Sequence, residues 1–172
     1  MHAPPCLDQI SRDWKRFLSS FPVQSSFQGD KHVPGMFSVY VLKIDLHPKS
    51  TWYYIGQSHQ KKIEQRLHQH KSEFLNCKTT TRTGKSALYD PKLYDGVTAI
   101  ILDFEVINGG LTKQQALHLE CEECSNYKIL HGENFVLTNS SLNLNLLHNK
   151  VQTNQPTSLA PQKTEEQFSL PL

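Results

Sequence analysis

The chain has 172 residues, of which 37% are hydrophobic and 20% charged, and a formal net charge of +2. That length suits one domain with a modest core. No apolar run approaches the roughly 18–20 residues that a membrane span needs. The N-terminal stretch, broken by Asp8, Arg12, Asp13, Lys15 and Arg16, is unlike a signal peptide, so a soluble, intracellular protein with no membrane partner is expected.

In chain order, residues 7–21 carry Leu7, Ile10, Trp14, Phe17 and Phe21 at helical spacing and predict an amphipathic helix. A polar, Gly- and Ser-containing link follows over 24–35. Residues 37–44 (FSVYVLKI) read as a strand, His47-Pro48-Lys49-Ser50 as a turn, and 51–56 (TWYYIG) as a second strand ended by Gly56, so the two form a hairpin. Over 60–75 the pattern turns helical, with Ile63, Leu67, His70 and Phe74 in one stripe. Residues 78–96 read as loop with one short helix near 86–89. A third strand spans 97–107 and is broken by Gly109-Gly110. Thr112 then caps a helix running to about Leu130, with Gln115 completing a capping box. From about His148 onward the chain holds too few large apolar side chains to offset its ordering entropy.

The expected fold is α/β (α+β): a three-stranded, mainly antiparallel sheet flanked by helices, in the order α-β-β-α-β-α. The organisation is an N-terminal helix and linker over 1–34, a domain over 35–147, and a disordered polar tail over 148–172.

Charge is unevenly distributed. Between His59 and Lys92 lie eight Lys/Arg against three acids, whereas the rest of the chain has ten basic and thirteen acidic residues. Such a block suits a polyanion, or is simply a solvated helix face followed by a basic loop. The lone Cys-x-x-Cys at Cys121 and Cys124 lacks a second pair, and its spacing favours packing on one helical face over a zinc site.

Three places carry chemistry. Tyr40 and Tyr54 lie on the two hairpin strands and can stand side by side, although tyrosine also favours strands for packing alone. Arg66 and His70 are four residues apart on one side of their helix, with His70 inside the apolar stripe and His68 turned away to solvent. An arginine there suits a phosphate, because its planar fork holds two oxygens; a snorkelling Arg beside a His on a carbonyl is the alternative. On the last helix Glu120 lies near the centre of the face made by Ala116, Leu117, Cys121, Cys124 and Tyr127. An inward carboxylate must pair with a cation (Arg66 among the possibilities), bind a metal or be protonated.

Together, Ser38-Val39-Tyr40, Tyr54-Ile55-Gly56-Gln57-Ser58, Arg66 with His70, and Ala116-Leu117-His118-Leu119-Glu120 resemble the motifs of the GIY-YIG nuclease family over roughly residues 35–130. Ser38 stands where that pattern has its leading glycine. The resemblance implies a hydrolase: an endonuclease cleaving phosphodiester bonds in double-stranded or branched DNA with Mg²⁺ or another divalent cation such as Mn²⁺. It implies Tyr40 as general base or water-positioning group, Tyr54 as its support, Arg66 for phosphoryl charge, His70 for phosphate or proton transfer, and Glu120 for the metal. Lys61, Lys62, Lys71, Arg82, Lys85 and Ser86 are the expected nucleic-acid contacts. Two alternatives stand beside this: a catalytically inactive nucleic-acid-binding module, and a protein-interaction domain docking a partner through its N-terminal helix.

Overall fold

The computed structural model describes residues 7–76 and 84–137. Within them the elements are α1 (Leu7–Leu18), β1 (Val23–Gln28), β2 (Phe37–His47), β3 (Ser50–Ser58), α2 (Glu64–Leu75), β4 (Ala99–Leu111), α3 (Lys113–His131) and β5 (Val136–Leu137). Short 3₁₀ turns occupy Gly84–Tyr89, Pro91–Tyr94 and Glu133–Phe135. No helix among the described residues is long and apolar enough to cross a membrane. Arg82 and the tail over 148–172 lie outside the described residues, and Lys85 and Ser86 are described only as backbone in the first 3₁₀ turn.

The sheet has five strands in the order β1-β4-β2-β3-β5. Its centre is the expected antiparallel trio, with β2 paired to both β3 and β4. The expectation of three strands is corrected by one parallel strand at each edge: β1 along β4, and β5 along β3. The chain order is therefore α-β-β-β-α-β-α-β. β1 (VQSSFQ) reads as a polar link because it lies at an edge, and every residue after Val23 is exposed. β5 has two residues and no periodicity to detect.

The strand ends also differ from expectation. Gly109-Gly110 does not stop β4, which continues to Leu111. Register shifts between Phe37 and Val39 and between Val39 and Tyr40 place extra β4 residues in the ladder as bulges. Gly109 is needed there because a Cβ would collide with the Lys31 carbonyl, and Gly110 has φ +69°. α2 begins at Glu64 rather than near residue 60; Lys61 and Lys62 are poor first-turn residues at the positive end of a helix dipole, whereas Glu64 suits it.

Alternation in the strands divides the core into two. On one face Tyr40, Leu42, Ile44, Tyr54, Phe104 and Val106 pack with Ile63 just before α2, Leu67 and Phe74 of α2, and Trp14 and Leu18 of α1. On the other, Val39, Val41 and Ile55 pack with Ala116 and Cys124 of α3. The Trp14 indole donates to the Phe74 carbonyl at 2.9 Å, tying α1 to the end of α2. Burying Trp14 and Leu18 contributes roughly 1.5–3 kcal/mol each, enough to order a 12-residue helix that would be marginal alone. Trp14 and Leu18 of α1 thus pack inside the chain. α3 carries the expected cap: the Thr112 hydroxyl accepts from Gln115 N at 3.3 Å, and Thr112 N donates to Gln115 Oε1 at 2.9 Å.

Candidate active site

The β2–β3 register sets Tyr40 opposite Gly56 and Leu42 opposite Tyr54. The two tyrosines are therefore diagonal rather than directly paired, on the α2 face, with ring centroids 6.4 Å apart. Gly56 makes room for this. A Cβ at that position would lie 2.5 Å from the Tyr40 hydroxyl and 2.7 Å from the ring carbon bearing it. With that space empty, the phenol lies across the neighbouring strand, stacked on Phe104 at 4.6 Å, and its tip reaches α2.

α2 meets it with two residues one turn apart. Arg66 Nε donates to the Tyr40 hydroxyl at 3.0 Å, and His70 Nε2 is 2.8 Å from the same oxygen. His70 is buried as the apolar stripe predicts, whereas His68 is 70% exposed beside Glu64. The His70 and Tyr54 rings meet in an edge-type contact, with centroids 5.1 Å apart. Arg66 Nη1 donates to Gln69 Oε1 at 3.0 Å, and the Gln60 amide donates to that same oxygen at 3.1 Å.

Glu73, one further turn along α2, completes the line. Its carboxylate lies 3.5 Å from His70 Nδ1 and 4.0 Å from Arg66 Nη1. The ion-pair partner of Arg66 is therefore Glu73. Neither motif spacing nor the apolar stripe marks this residue. Its offsets of three from His70 and seven from Arg66 are the only signal in the sequence.

Burial governs the proton affinities. Tyr40 is fully buried, and its hydroxyl is held protonated far above the ordinary phenol range; loss of hydration is the largest cause, Tyr54 adds to it, and Arg66 partly opposes it. The Arg66 guanidinium is pushed up from its usual value by its phenol and carboxylate neighbours, although burial acts in the opposite direction.

Glu120 stands on the other side of the sheet, on α3, where it is 6% exposed. Burial raises its carboxyl to about 7; a hydrogen bond from Gln57 and the more distant charge of Arg66 offset this only in part. Gln57 projects to this face from the strand position beside Gly56, and its side-chain oxygen is buried without a hydrogen-bond partner. Among the described residues, no group of three or more His, Cys, Asp or Glu is placed to share a metal; a cation here would rest on Glu120 with few protein ligands beside it. A hard divalent ion that keeps several waters fits such a site. The charge of Glu120 is only partly compensated, and the buried Gln57 oxygen can accept from a water.

Lys61 and Lys62 are exposed in the loop before α2, and Lys71 is half-buried on α2 next to His70. Ser38 is buried and hydrogen-bonded to His32 Nδ1 at 2.6 Å, while His32 Nε2 donates to the Lys61 carbonyl at 3.3 Å. His32, held by the Ser38 hydroxyl, thus ties the loop after β1 to the basic loop before α2.

The chain matches no family model, no curated protein and no solved structure.

Proposed function

We propose that the chain is a GIY-YIG-type nuclease, a divalent-metal-dependent hydrolase of phosphodiester bonds in double-stranded or branched DNA. One observation carries the reading: the Tyr40 hydroxyl sits between Arg66 Nε and His70 Nε2, at 3.0 and 2.8 Å, on the motif that contains Gly56. A phenol, a guanidinium and an imidazole meeting at one oxygen form a costly buried polar cluster, and the three suit phosphate binding and proton transfer at one place.

Arg66 would bind a phosphoryl oxygen and stabilise the charge developing there. Tyr40 would orient the attacking water and exchange a proton with His70, and Tyr54 would wall the imidazole in place. Glu120 would hold Mg²⁺ or Mn²⁺, with Gln57 bonded to the carboxylate; a cation bound there supplies Lewis-acid polarisation of the phosphate. Lys61, Lys62 and Lys71, with Arg82, Lys85 and Ser86 further along the chain, would track the backbone of the nucleic acid.

A second reading, nucleic-acid binding without cleavage, is favoured by the complete burial of Tyr40. Supercoiled plasmid incubated with the protein and Mg²⁺ separates the two. Nicking that stops with EDTA and drops at least about 10²-fold in Glu120→Ala is expected of the nuclease. Salt-dependent binding with no nicking in any metal would select the second reading.

A further inference from the structure

His70 is a buried imidazole with a different partner at each nitrogen, and the partner at Nδ1 decides what Nε2 can do. A neutral ring carries one proton, on either nitrogen. A carboxylate only accepts, so Glu73, 3.5 Å from Nδ1, selects the form with the proton on Nδ1. Nε2 is then an acceptor, and the Tyr40 hydroxyl, 2.8 Å away, must donate to it. The other partner of that hydroxyl fits: Arg66 Nε can only donate, so it takes one lone pair of the phenol oxygen and leaves the phenol proton for His70. One lone pair remains for a water.

We propose that Glu73 is a positioning residue for the proton path of this site, directing His70 Nε2 at Tyr40 and holding the charge that His70 acquires during hydrolysis. The proposal rests on the nuclease reading. As the water oxygen bonds to phosphorus, a water proton passes to the Tyr40 oxygen, and the original phenol proton passes to His70 Nε2. The P–O bond to the leaving oxygen breaks with its electron pair on that oxygen, which takes a proton from solvent. The imidazolium faces the Glu73 carboxylate and later returns its proton to solvent. No phenolate accumulates, so a buried phenol that holds its proton unusually tightly can still take part.

The surroundings of His70 support this division of labour. From β2 and β3 it meets the phenols of Tyr40 and Tyr54, from β4 the ring of Phe104 at 6.5 Å, and from its own helix Glu73, while Arg66 shares the Tyr40 hydroxyl with it. The sheet thus presents aromatic groups, and the carboxylate comes from α2. Residues seven apart on a helix differ by only about 20° in direction, which is why Glu73 reaches both Arg66 and His70.

The test uses the full chain and Glu73→Gln, with Glu73→Asp as the conservative control; Glu73 is about one-third exposed, so both variants tolerate the change. Nitrogen-15 NMR of labelled histidine should show His70 of the unaltered protein neutral near pH 8, with its proton on Nδ1. In Glu73→Gln the pH at which the ring charges should fall by roughly one unit. Plasmid nicking should drop about 10-fold or more, and its acidic limb should move to lower pH. Glu73→Asp should recover much of both. A His70 proton on Nε2, a doubly protonated ring near pH 8, or a Glu73→Gln variant with unchanged rate and pH profile overturns the proposal. If the unaltered protein does not nick DNA, the nuclease reading fails by itself and the NMR arm still decides whether Glu73 sets the His70 tautomer.

Discussion

On the α2 face of the sheet, Arg66, Tyr40, His70 and Glu73 follow one another within 2.8 to 4.0 Å, each polar group meeting the next. On the α3 face, Glu120 is also buried but has a neutral amide, Gln57, as its hydrogen-bond partner, and its carboxyl is raised to about 7. One face neutralises its buried charge internally. The other leaves a negative charge under-compensated, as a site does when it takes its balance from an added cation. On the proposed function the contrast would separate two jobs, with proton and phosphate handling on the first face and an ion on the second.

The strongest way to break this contrast is to change Arg66, the group that touches both the phenol and Glu73. Arg66→Ala should lower nicking about 10²–10³-fold. Arg66→Lys should recover little of it, because an ammonium cannot bond Tyr40 and phosphate with one planar fork. Nicking rates under single-turnover conditions check this, and a fully active Arg66→Lys variant would refute the fork argument.

A smaller effect is expected from shape alone. Gly56→Ala places a methyl against the Tyr40 and Tyr54 rings, and such overpacking costs about 1–3 kcal/mol. Chemical denaturation should show that loss even though alanine is intrinsically better than glycine in a strand interior. Unchanged stability would mean that the phenol moves freely, and the preorganised face would lose its argument.

On the α3 face the sharper probe is pH. Glu120 in the folded chain keeps its proton to about 7, against 4.5 ordinarily, so the unfolded chain releases it first. Stability should therefore be full below about 4.5, decline as pH rises to about 7, and level off above, with a total loss of roughly 3 kcal/mol at most. Thermal melts in metal-free buffer should show this decline, and Glu120→Gln should flatten it. Added Mg²⁺ should restore stability at pH 8 in the parent chain and not in the variant; equal restoration in both would place the ion elsewhere.

Much of the α2 face is legible in the sequence, because a helix writes its buried side as a period. Ile63, Leu67, His70 and Phe74 form the predicted stripe, and all four are buried. The Thr112–Gln115 cap is equally local and appears as expected. What escapes the sequence depends on contacts far along the chain. β1 is recognisable as a strand only once β4 lies beside it, and Gly109-Gly110 reads as a breaker until the Lys31 carbonyl shows why the strand needs glycine there. Gln57 and Glu73 are ordinary polar residues by composition; only their neighbours, Glu120 for one and His70 for the other, make them part of a site.

The Tyr40 hydroxyl has two hydrogen-bond partners, of which His70 is fully buried and only Arg66, about a quarter exposed, reaches solvent. An anion recruited to the exposed part of this guanidinium would meet a fork whose Nε is already held by the phenol, so Tyr40 aims the group that binds. In the proposed nuclease, inorganic phosphate and sulfate would compete with a nucleic-acid phosphate for that one cation, and the ionic composition of the medium would then set the fraction of molecules ready to bind.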